Sequence, residues 1–376
     1  MLLFGADVES RDVPRDEIAL RRPGAPIGIL EAPPTPPEVS SLIQTGWTAC
    51  TGAIGETELG YQIHLSVEPD VTPDPRVGFV VKHAGDLYLI AEAVTRSERT
   101  TPRAYAYPVP NDESAETVLQ NVAGTSKQDA IKVPADWLTL FPQGAPLTLA
   151  SFGIDVDDLR APSPYAGDPT IPDGAKTGDV LTLNDDRYLL TPTGLIKLDA
   201  FSAEVYENLI FAPGQNPDRD RPLQQAPAVE AAQVPESSWP AAPVMESSAS
   251  EICGLLDAVP GSQPGVRLAT EPGPDASADG LSPGGSDATV DPGFGAFVLS
   301  GDWDSVGSAG LTLIDTRGFS FPVAGVTERD NLGYVDVPDV VVPDAWLQLL
   351  PQGVPLSIDA ARCPPTSRAQ TKPCGT

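Results

Sequence analysis

Apolar and polar residues alternate with the same layout in three stretches of the chain. Each stretch has the pattern of a β-hairpin, in which two runs of β-branched and aromatic residues flank a polar turn rich in Gly, Asp or Asn. These predicted hairpins are GFVVKHAGDLYLI (78–90), GDVLTLNDDRYLL (178–190) and GAFVLSGDWDSVGSAGLTLI (295–314). A third strand is predicted after each hairpin, at 104–109, 194–198 and 318–323, with helices at 113–122 and 202–210.

A second repeated pattern ends two of these units. VPADWLTLFPQG (133–144) and VPDAWLQLLPQG (342–353) are nearly the same phrase, and VPRDEIALRRPG (13–24) aligns with both without a gap. The alignment continues for five more residues, and we refer to 13–29, 133–149 and 342–358 as the closing segments. All three share a Val-Pro start, a leucine, a glycine and a final proline. The chain therefore contains three copies of a segment that ends a structural unit.

The spacing within a closing segment predicts a short helix with one apolar face. Pro134 suits the first helical turn, where no backbone N–H is needed. Trp137, Leu140 and Phe141 then fall on one face at positions i, i+3 and i+4. The next proline ends the helix, and Gly144 permits the chain to reverse. We expect Trp137 to pack on the hairpin of its own unit rather than to bind carbohydrate or a partner. The corresponding structural residues of the other copy are Pro343, Trp346 and Gly353.

These patterns predict an α+β, strand-rich fold. It is an elongated array of small repeat units around a central domain, and each unit has a β-hairpin, a strand, a short helix and a VPxxWLxLxPQG closing segment. The copies are unevenly spaced, which excludes a solenoid of fixed period. The unit around 178–212 lacks the closing phrase and is interpreted as degenerate. The first unit lacks its hairpin, which is expected upstream of Met1.

Two stretches, about 212–237 and 259–292, are rich in Pro, Gly, Ala, Ser and Asp, and we expect them to be exposed linkers or loops. The predicted organisation is the end of a first unit (1–31), a central-domain segment (32–70), a second unit (71–152), a third, degenerate unit (153–212), a linker with a central-domain segment (213–290), a fourth unit (291–362) and a tail (363–376).

Composition narrows the possible partners. The chain of 376 residues has 52 Asp and Glu against 23 Lys and Arg, a net charge of −29. Such a charge repels nucleic acid and anionic lipid, so neither is an expected partner. No apolar run of about 20 residues is long enough to span a bilayer. The start, MLLFGADVES, lacks the features of a signal peptide. The chain is therefore either cytoplasmic or part of a longer exported protein.

The four cysteines, Cys50, Cys253, Cys363 and Cys374, form no CxxC pair and no zinc spacing. Two disulfides in an oxidising compartment are the preferred interpretation, and four buried thiols are the alternative.

No residue pattern predicts catalysis, a cofactor or a metal. His64 and His83 lie in no recognisable nucleophile motif. GDPTIPDGAKTG (167–178), with Lys176 and Thr177, departs from the P-loop spacing GxxxxGK[ST], and a strand rather than a helix is predicted after it. The acidic runs at 155–159 and 183–188 lack the calcium-loop pattern and are interpreted as solvated turns.

The combination of motifs resembles the EccB family, in its periplasmic part. EccB is a membrane-core component of the type VII (ESX) secretion systems of actinobacteria. The likeness covers nearly the whole chain. It rests on GAPIGILEAPPTPP (24–37), GWTAC (46–50), GDVLTLNDDRYLLTPTGLIKL (178–198), WPAAPV (239–244) and the run from GFGAFVLS (293–300) through VPDAWLQLLPQGVPLSIDAA (342–361).

The resemblance implies a cytosolic stretch and one transmembrane helix before the region seen here, on the extracytoplasmic face of the inner membrane. It implies a disulfide between Cys50 and Cys253, which leaves Cys363 and Cys374 as a possible second pair. The implied partners are the core components EccC, EccD and EccE, a membrane-bound mycosin protease and further copies of the chain. Some family members are described as ATPases, but this sequence has no motif for that activity.

Three functions are therefore compared. A structural scaffold for protein export suits the repeats, the acidic charge and the lack of a catalytic motif. The alternatives are an ATP-hydrolysing component of the same system and a module that binds cell-wall peptidoglycan.

Overall fold

The computed structural model describes residues 2–3, 5, 12–21, 27–52, 59–93, 102–163, 165, 168–210, 217, 221–223, 225, 232–234, 239–246, 249, 251–282, 284–305 and 310–365, and the structural statements below concern these residues. Their strands are β1 Trp47–Thr51, β2 Tyr61–Leu65, β3 Thr72–Pro73, β4 Val77–His83, β5 Asp86–Glu92, β6 Ala104–Val109, β7 Ile131–Lys132, β8 Val180–Leu183, β9 Asp186–Thr191, β10 Gly194–Leu198, β11 Arg221–Pro222, β12 Ala232–Gln233, β13 Met245–Glu246, β14 Cys253–Asp257, β15 Gly265–Thr270, β16 Ser286–Val290, β17 Ala296–Gly301, β18 Gly310–Ile314, β19 Ser320–Val323 and β20 Val341–Pro343. Their α-helices are α1 Arg15–Ala19, α2 Ser114–Ala123, α3 Ala135–Leu138, α4 Ala200–Leu209, α5 Val326–Leu332, α6 Asp344–Gln348 and α7 Ile358–Ala361.

A six-stranded sheet forms the centre, with strand order β16-β2-β1-β14-β15-β3. Its strands come from two distant parts of the sequence. β1 pairs antiparallel with both β2 and β14, and β16 adds to the edge of β2 in parallel. The stretch 259–292 was expected to be a linker, but it supplies β15 and β16. The prediction was wrong because the alternating, buried Val266 and Leu268 lie within a Pro- and Gly-rich region whose overall composition concealed them.

The second unit is a three-stranded antiparallel sheet, β4-β5-β6, whose closing segment touches both outer strands. The residues that lead into the segment run beside β4, where Ile131 pairs in parallel with Val81, and the backbone N–H of Val133 then donates to the Lys82 carbonyl at 3.2 Å. The segment then crosses the sheet through α3 and pairs in parallel with β6, Gln143 beside Ala106. The closing segment therefore pairs with both edges of the unit, and β13 covers the start of β4, with Met245 beside Val77.

The fourth unit repeats this arrangement with β17, β18 and β19. Val341 in β20 pairs in parallel with Leu299, and Gln352 pairs in parallel with Ser320 after α6. The hairpins and third strands predicted for both units are present, which confirms the strand-rich α+β prediction built on several small sheets.

The third unit has the same topology although its sequence lacks the closing phrase. β11 pairs in parallel with β8, Arg221 beside Leu181, and β12 pairs in parallel with β10, Ala232 beside Ile196. Strand pairing therefore carries this unit beyond residue 212, where the sequence analysis ended it. The sequence analysis missed β11 and β12 because backbone pairing places them. The tryptophan phrase that marks the closing segments of the other units is absent here.

Two details of the closing segment differ from the sequence prediction. Pro134 and Pro343 lie one residue before their helices, as N-caps, and not inside the first turn. Gly144 and Gly353 have no left-handed backbone conformation. They are needed for close approach, because a Cβ would lie 2.3 Å from the ring of Tyr107 or of Phe321, respectively. An aromatic residue of the third strand thus packs closely against the glycine in both units.

The first closing segment is only partly described, and Gly24 and Pro26 lie outside the described residues. Its helix α1 buries no residue. Leu20 is 87% exposed, whereas the aligned Leu140 is fully buried.

Replacing Gly353 by alanine tests the close approach. The added Cβ would overlap the Phe321 ring, so we expect the free energy of unfolding to fall by about 1–3 kcal/mol. Urea denaturation, followed by tryptophan fluorescence, measures this free energy of unfolding. Gly325→Ala is the matched control, because its Cβ would meet only the flexible Glu328 side chain, at 3.4 Å. Equal effects of the two substitutions would contradict the packing argument.

Candidate functional site: the junctions between the units

One hydrophobic core joins the central sheet to the second and fourth units. The sheet contributes one face, and each unit contributes its sheet and its closing segment. Its members include Trp47, Ile63, Leu65, Leu256, Val266 and Leu268 from the central sheet, Phe79, Val81, Ile90, Val133, Trp137 and Phe141 from the second unit, and Val298, Ile314, Val342, Trp346, Leu347 and Leu350 from the fourth. Among the residues that the structure describes, these three parts form a single core on this face.

The two closing-segment tryptophans are fully buried within this shared core. The indole N–H of Trp137 donates to the carbonyl of Ala49 in β1 at 3.2 Å. That of Trp346 donates to the carbonyl of Leu140, in the closing segment of the other unit, at 3.3 Å. The sequence analysis expected each indole to pack on the hairpin of its own unit, and it did not foresee these hydrogen bonds to a neighbouring part. Their polar edges tie each unit to a neighbour.

Gly254 of β14 is the point on the central sheet where the two closing segments meet. A Cβ there would lie 3.4 Å from the Phe141 ring and 3.5 Å from the Trp346 ring. Rings from both units thus rest on the backbone of one central strand, which fixes their relative position.

Arg103, just before β6, makes a polar junction among the same three parts. Its guanidinium donates to the carbonyl of Pro264 at 2.9 Å and to that of Trp303 at 2.7 Å. It also lies over the rings of Tyr105 and Trp303, at 5.9 and 5.5 Å. One side chain of the second unit therefore holds a turn of the central sheet and a turn of the fourth unit. Sequence reasoning missed it, because nothing in its local pattern marks a long-range contact.

Proline-rich segments dock against the first strand of two units. Val244 packs on Gly78, where a Cβ would lie 2.3 Å from the valine side chain. Pro37 packs on Gly295 in the same way, at 2.4 Å, and the carbonyl of Pro37 accepts a hydrogen bond from the Tyr334 hydroxyl. Burial raises the pKa of that hydroxyl, which therefore stays protonated as a donor. The glycine at the start of each predicted hairpin was the available sequence signal.

The third unit is attached to the second unit through the sheet face that carries its helix, and the contact forms a second hydrophobic core. Its helix α4 packs against α2 of the second unit, with the Asn121 amide donating to Asn208 at 3.1 Å. Trp239 of the WPAAPV motif completes this second core against the rings of Phe152 and Phe201, and its indole N–H donates to the Ala145 carbonyl at 3.0 Å.

The third unit does not join the shared core because the corresponding face of its sheet, with Leu181 and Leu190, packs in a cluster of its own with Ile171, Ala175 and Leu223. At the start of this sheet, Asp179 follows a glycine, as Phe79 does in the second unit. It is a buried carboxylate held by Arg221 at 3.2 Å and Arg160 at 3.6 Å.

The disulfide between Cys50 and Cys253 is confirmed. The two cysteines are directly opposite in β1 and β14, and the bond closes a sequence separation of 203 residues. Cys363 is also disulfide-bonded, and Cys374 lies outside the described residues.

The remaining candidate residues have structural surroundings. His64 lies between Thr289 at 2.8 Å and Asp291 at 3.3 Å on the central sheet, and His83 contacts the Val133 carbonyl at 3.1 Å. The backbone N–H of Lys176 donates to Asp179 within a turn, Thr177 is buried, and a strand follows. This turn therefore lacks the strand-loop-helix geometry of a P-loop.

Among the described residues, no helix has the length and apolar character needed to cross a membrane. Within the same part of the chain, no group of three or more His, Cys, Asp or Glu is arranged to hold a metal ion.

Trp346→Ala tests the shared core. We expect a loss of about 3–5 kcal/mol of stability and faster hydrogen exchange in β1, β14 and the second closing segment as well as in the fourth unit. Trp346→Phe, which keeps apolar bulk and loses the N–H, should cost about 1 kcal/mol. Val326→Ala, at a residue 68% exposed, is the control. Faster exchange confined to the fourth unit would contradict a shared core.

Arg103→Ala tests the polar junction. Two partly buried carbonyls lose a charged donor, so we expect a cost of about 2–3 kcal/mol and faster exchange at both turns that Arg103 holds. Arg187→Ala removes a half-exposed ion pair within the third unit and should cost at most about 1 kcal/mol. Equal losses of stability in the Arg103→Ala and Arg187→Ala variants would show that the Arg103 junction does not stabilise the structure.

Comparison with known proteins agrees with this architecture. The family model described as type VII secretion system ESX-1, transport TM domain B, matches residues 1–366. None of the curated proteins matches the chain.

Solved structures with this fold include three ESX assemblies. The periplasmic assembly of the ESX-5 inner membrane complex has 19% identity over 98% of this chain and 90% of that chain, with a TM-score of 0.63. An intact ESX-5 inner membrane complex has 18% identity over 100% and 78%, with a TM-score of 0.64. The EccB3 dimer from the ESX-3 core complex has 16% identity over 96% and 92%, with a TM-score of 0.65. Identities this low show a common fold, and the family match over nearly the whole sequence shows more: the chain belongs to the EccB family of the type VII secretion system.

Proposed function

We propose that this protein is the extracytoplasmic scaffold of an ESX inner membrane complex, on the periplasmic face. The observation that carries the proposal is the shared core, in which Trp137 and Trp346 fix two units to one central sheet. Units joined in this way keep their surfaces at constant separations and angles. A scaffold needs this property in order to hold other subunits in register.

The structural neighbours support the location and the assembly state. They come from the periplasmic part of one inner membrane complex and from a dimer in another core complex. We extend both features to this chain: it lies outside the membrane and self-associates.

The proposed partners are the other core components EccC, EccD and EccE and the mycosin protease. The net charge of −29 favours partner surfaces of positive potential and disfavours non-specific self-attraction. Specific association must therefore depend on shaped contacts that the rigid units display.

Purification of the tagged, full-length protein from its native membrane in mild detergent tests the proposal. We expect EccC, EccD, EccE and mycosin to co-purify in one high-mass complex containing more than one copy of this chain. Trp346→Ala should reduce the yield of that complex, whereas Val326→Ala should not. Recovery of the wild-type protein as a monomer without other core components would refute the scaffold function.

A further inference from the structure

A cavity of about 550 Å³ lies where the second unit, the central sheet and the WPAAPV motif meet. The second unit supplies residues before β4 and at the end of β5, the central sheet supplies β15, and Pro240 to Met245 form one wall. Its volume is in the range of sites that hold small ligands, and such sites are most frequent at junctions of this kind. None of the functions described above uses it.

The lining is mostly proline and alanine, with three charged residues, Arg76, Glu92 and Arg267. The carboxylate of Glu92 is buried and accepts a hydrogen bond from the Leu268 N–H at 3.0 Å. The Nε of Arg267 lies 3.8 Å from this carboxylate, beyond hydrogen-bond distance. That nitrogen is buried and makes no hydrogen bond within the described part of the chain. This nitrogen is closed to the cavity, but the Arg267 side chain as a whole is 32% exposed and lines the cavity, so its terminal N–H groups are the donors that a ligand can reach.

Arg76 lines the same cavity, and its side chain is 74% exposed. Its Nε lies 3.2 Å from Oδ1 of Asp74. Two guanidinium groups therefore line one cavity in a protein with only 23 basic residues among 376. Guanidinium groups favour carboxylates, to which they donate parallel hydrogen bonds. The surrounding walls offer no other charged group and suit small apolar side chains.

We propose that this cavity binds the free C-terminal carboxylate of a polypeptide that ends in small apolar residues. The guanidinium groups of Arg267 and Arg76 hold the carboxylate, and the proline and alanine walls contact the last side chains. Glu92 faces the incoming negative charge. Burial raises the pKa of Glu92, so this carboxylate takes up a proton at a higher pH than an exposed one and then no longer repels the ligand. Affinity should therefore increase as the pH falls through the pKa of Glu92.

The chain offers a site-specific reporter. It has two methionines, Met1 and Met245, and Met245 lines the cavity. With ¹³C-methyl methionine labelling, titration of the tripeptide Ala-Pro-Ala should shift the Met245 methyl resonance in a saturable manner. The same peptide with a C-terminal amide should bind at least tenfold more weakly. A Met245→Leu variant assigns the resonance.

Substitutions separate the roles of the charged groups. Arg267→Gln should weaken binding of the free acid at least tenfold and leave the amide unchanged. Glu92→Gln should retain binding and lose its pH dependence. Arg187→Gln, at an ion-paired arginine of the third unit, is the matched control and should have no effect. An unchanged far-ultraviolet circular dichroism spectrum confirms that each variant is folded.

Three outcomes would overturn the proposal: equal affinity for acid and amide, an absence of saturable shifts at Met245, or a preference for a D-Ala-D-Ala ending, which would assign the site to cell-wall peptides. The test is independent of the scaffold function, because the tagged Arg267→Gln protein should still assemble with its partners.

Discussion

The buried contact between the two closing segments is the constraint on which the rest of the structure depends. The Trp346 N–H reaches the Leu140 carbonyl across the unit boundary, and rings from both segments rest on Gly254. A three-stranded sheet with one short helix buries too little apolar surface to be stable alone. The second unit, the fourth unit and the central sheet bury enough apolar surface because they share one core. Their relative positions then follow from packing, because interiors at this density do not deform gradually.

The closing segment also pairs with the edge strands of its unit, which would otherwise be exposed. Unpaired edge strands template association with other chains. In the second and fourth units the segment pairs in parallel with the first strand, crosses the sheet, and pairs with the third strand. One short stretch therefore covers both edges and brings its tryptophan to the face that joins the core. This double role explains why proline, tryptophan and glycine recur at fixed spacing.

The sequence predicted the parts better than their connections. The hairpins, third strands and closing helices followed from period-two alternation and from proline and glycine positions, which are local properties. Trp137 and Trp346 were correctly expected to be buried, but their hydrogen-bond partners lie 88 and 206 residues away along the chain. Local pattern does not encode such partners. The Cys50–Cys253 pair was available only through the resemblance to a family. The strands at 265–270 and 286–290 were hidden by composition, and Arg103 by its ordinary polar surroundings.

The third unit differs from the second in what covers the corresponding face of its sheet. In the second unit, Phe79, Val81 and Ile90 pack into the core shared with the central sheet. In the third unit, Leu181 and Leu190 are covered by Ile171, Ala175 and Leu223 of the same unit, so this face is not available to the central sheet. The unit instead uses its helix face, with Trp239 filling the gap. A scaffold built in this way has three parts locked in one core and a fourth held through a separate one. The two cores meet in the second unit, whose sheet contributes one face to each. Because both faces of that sheet are buried against neighbours, the second unit transmits the position of the central sheet to the third.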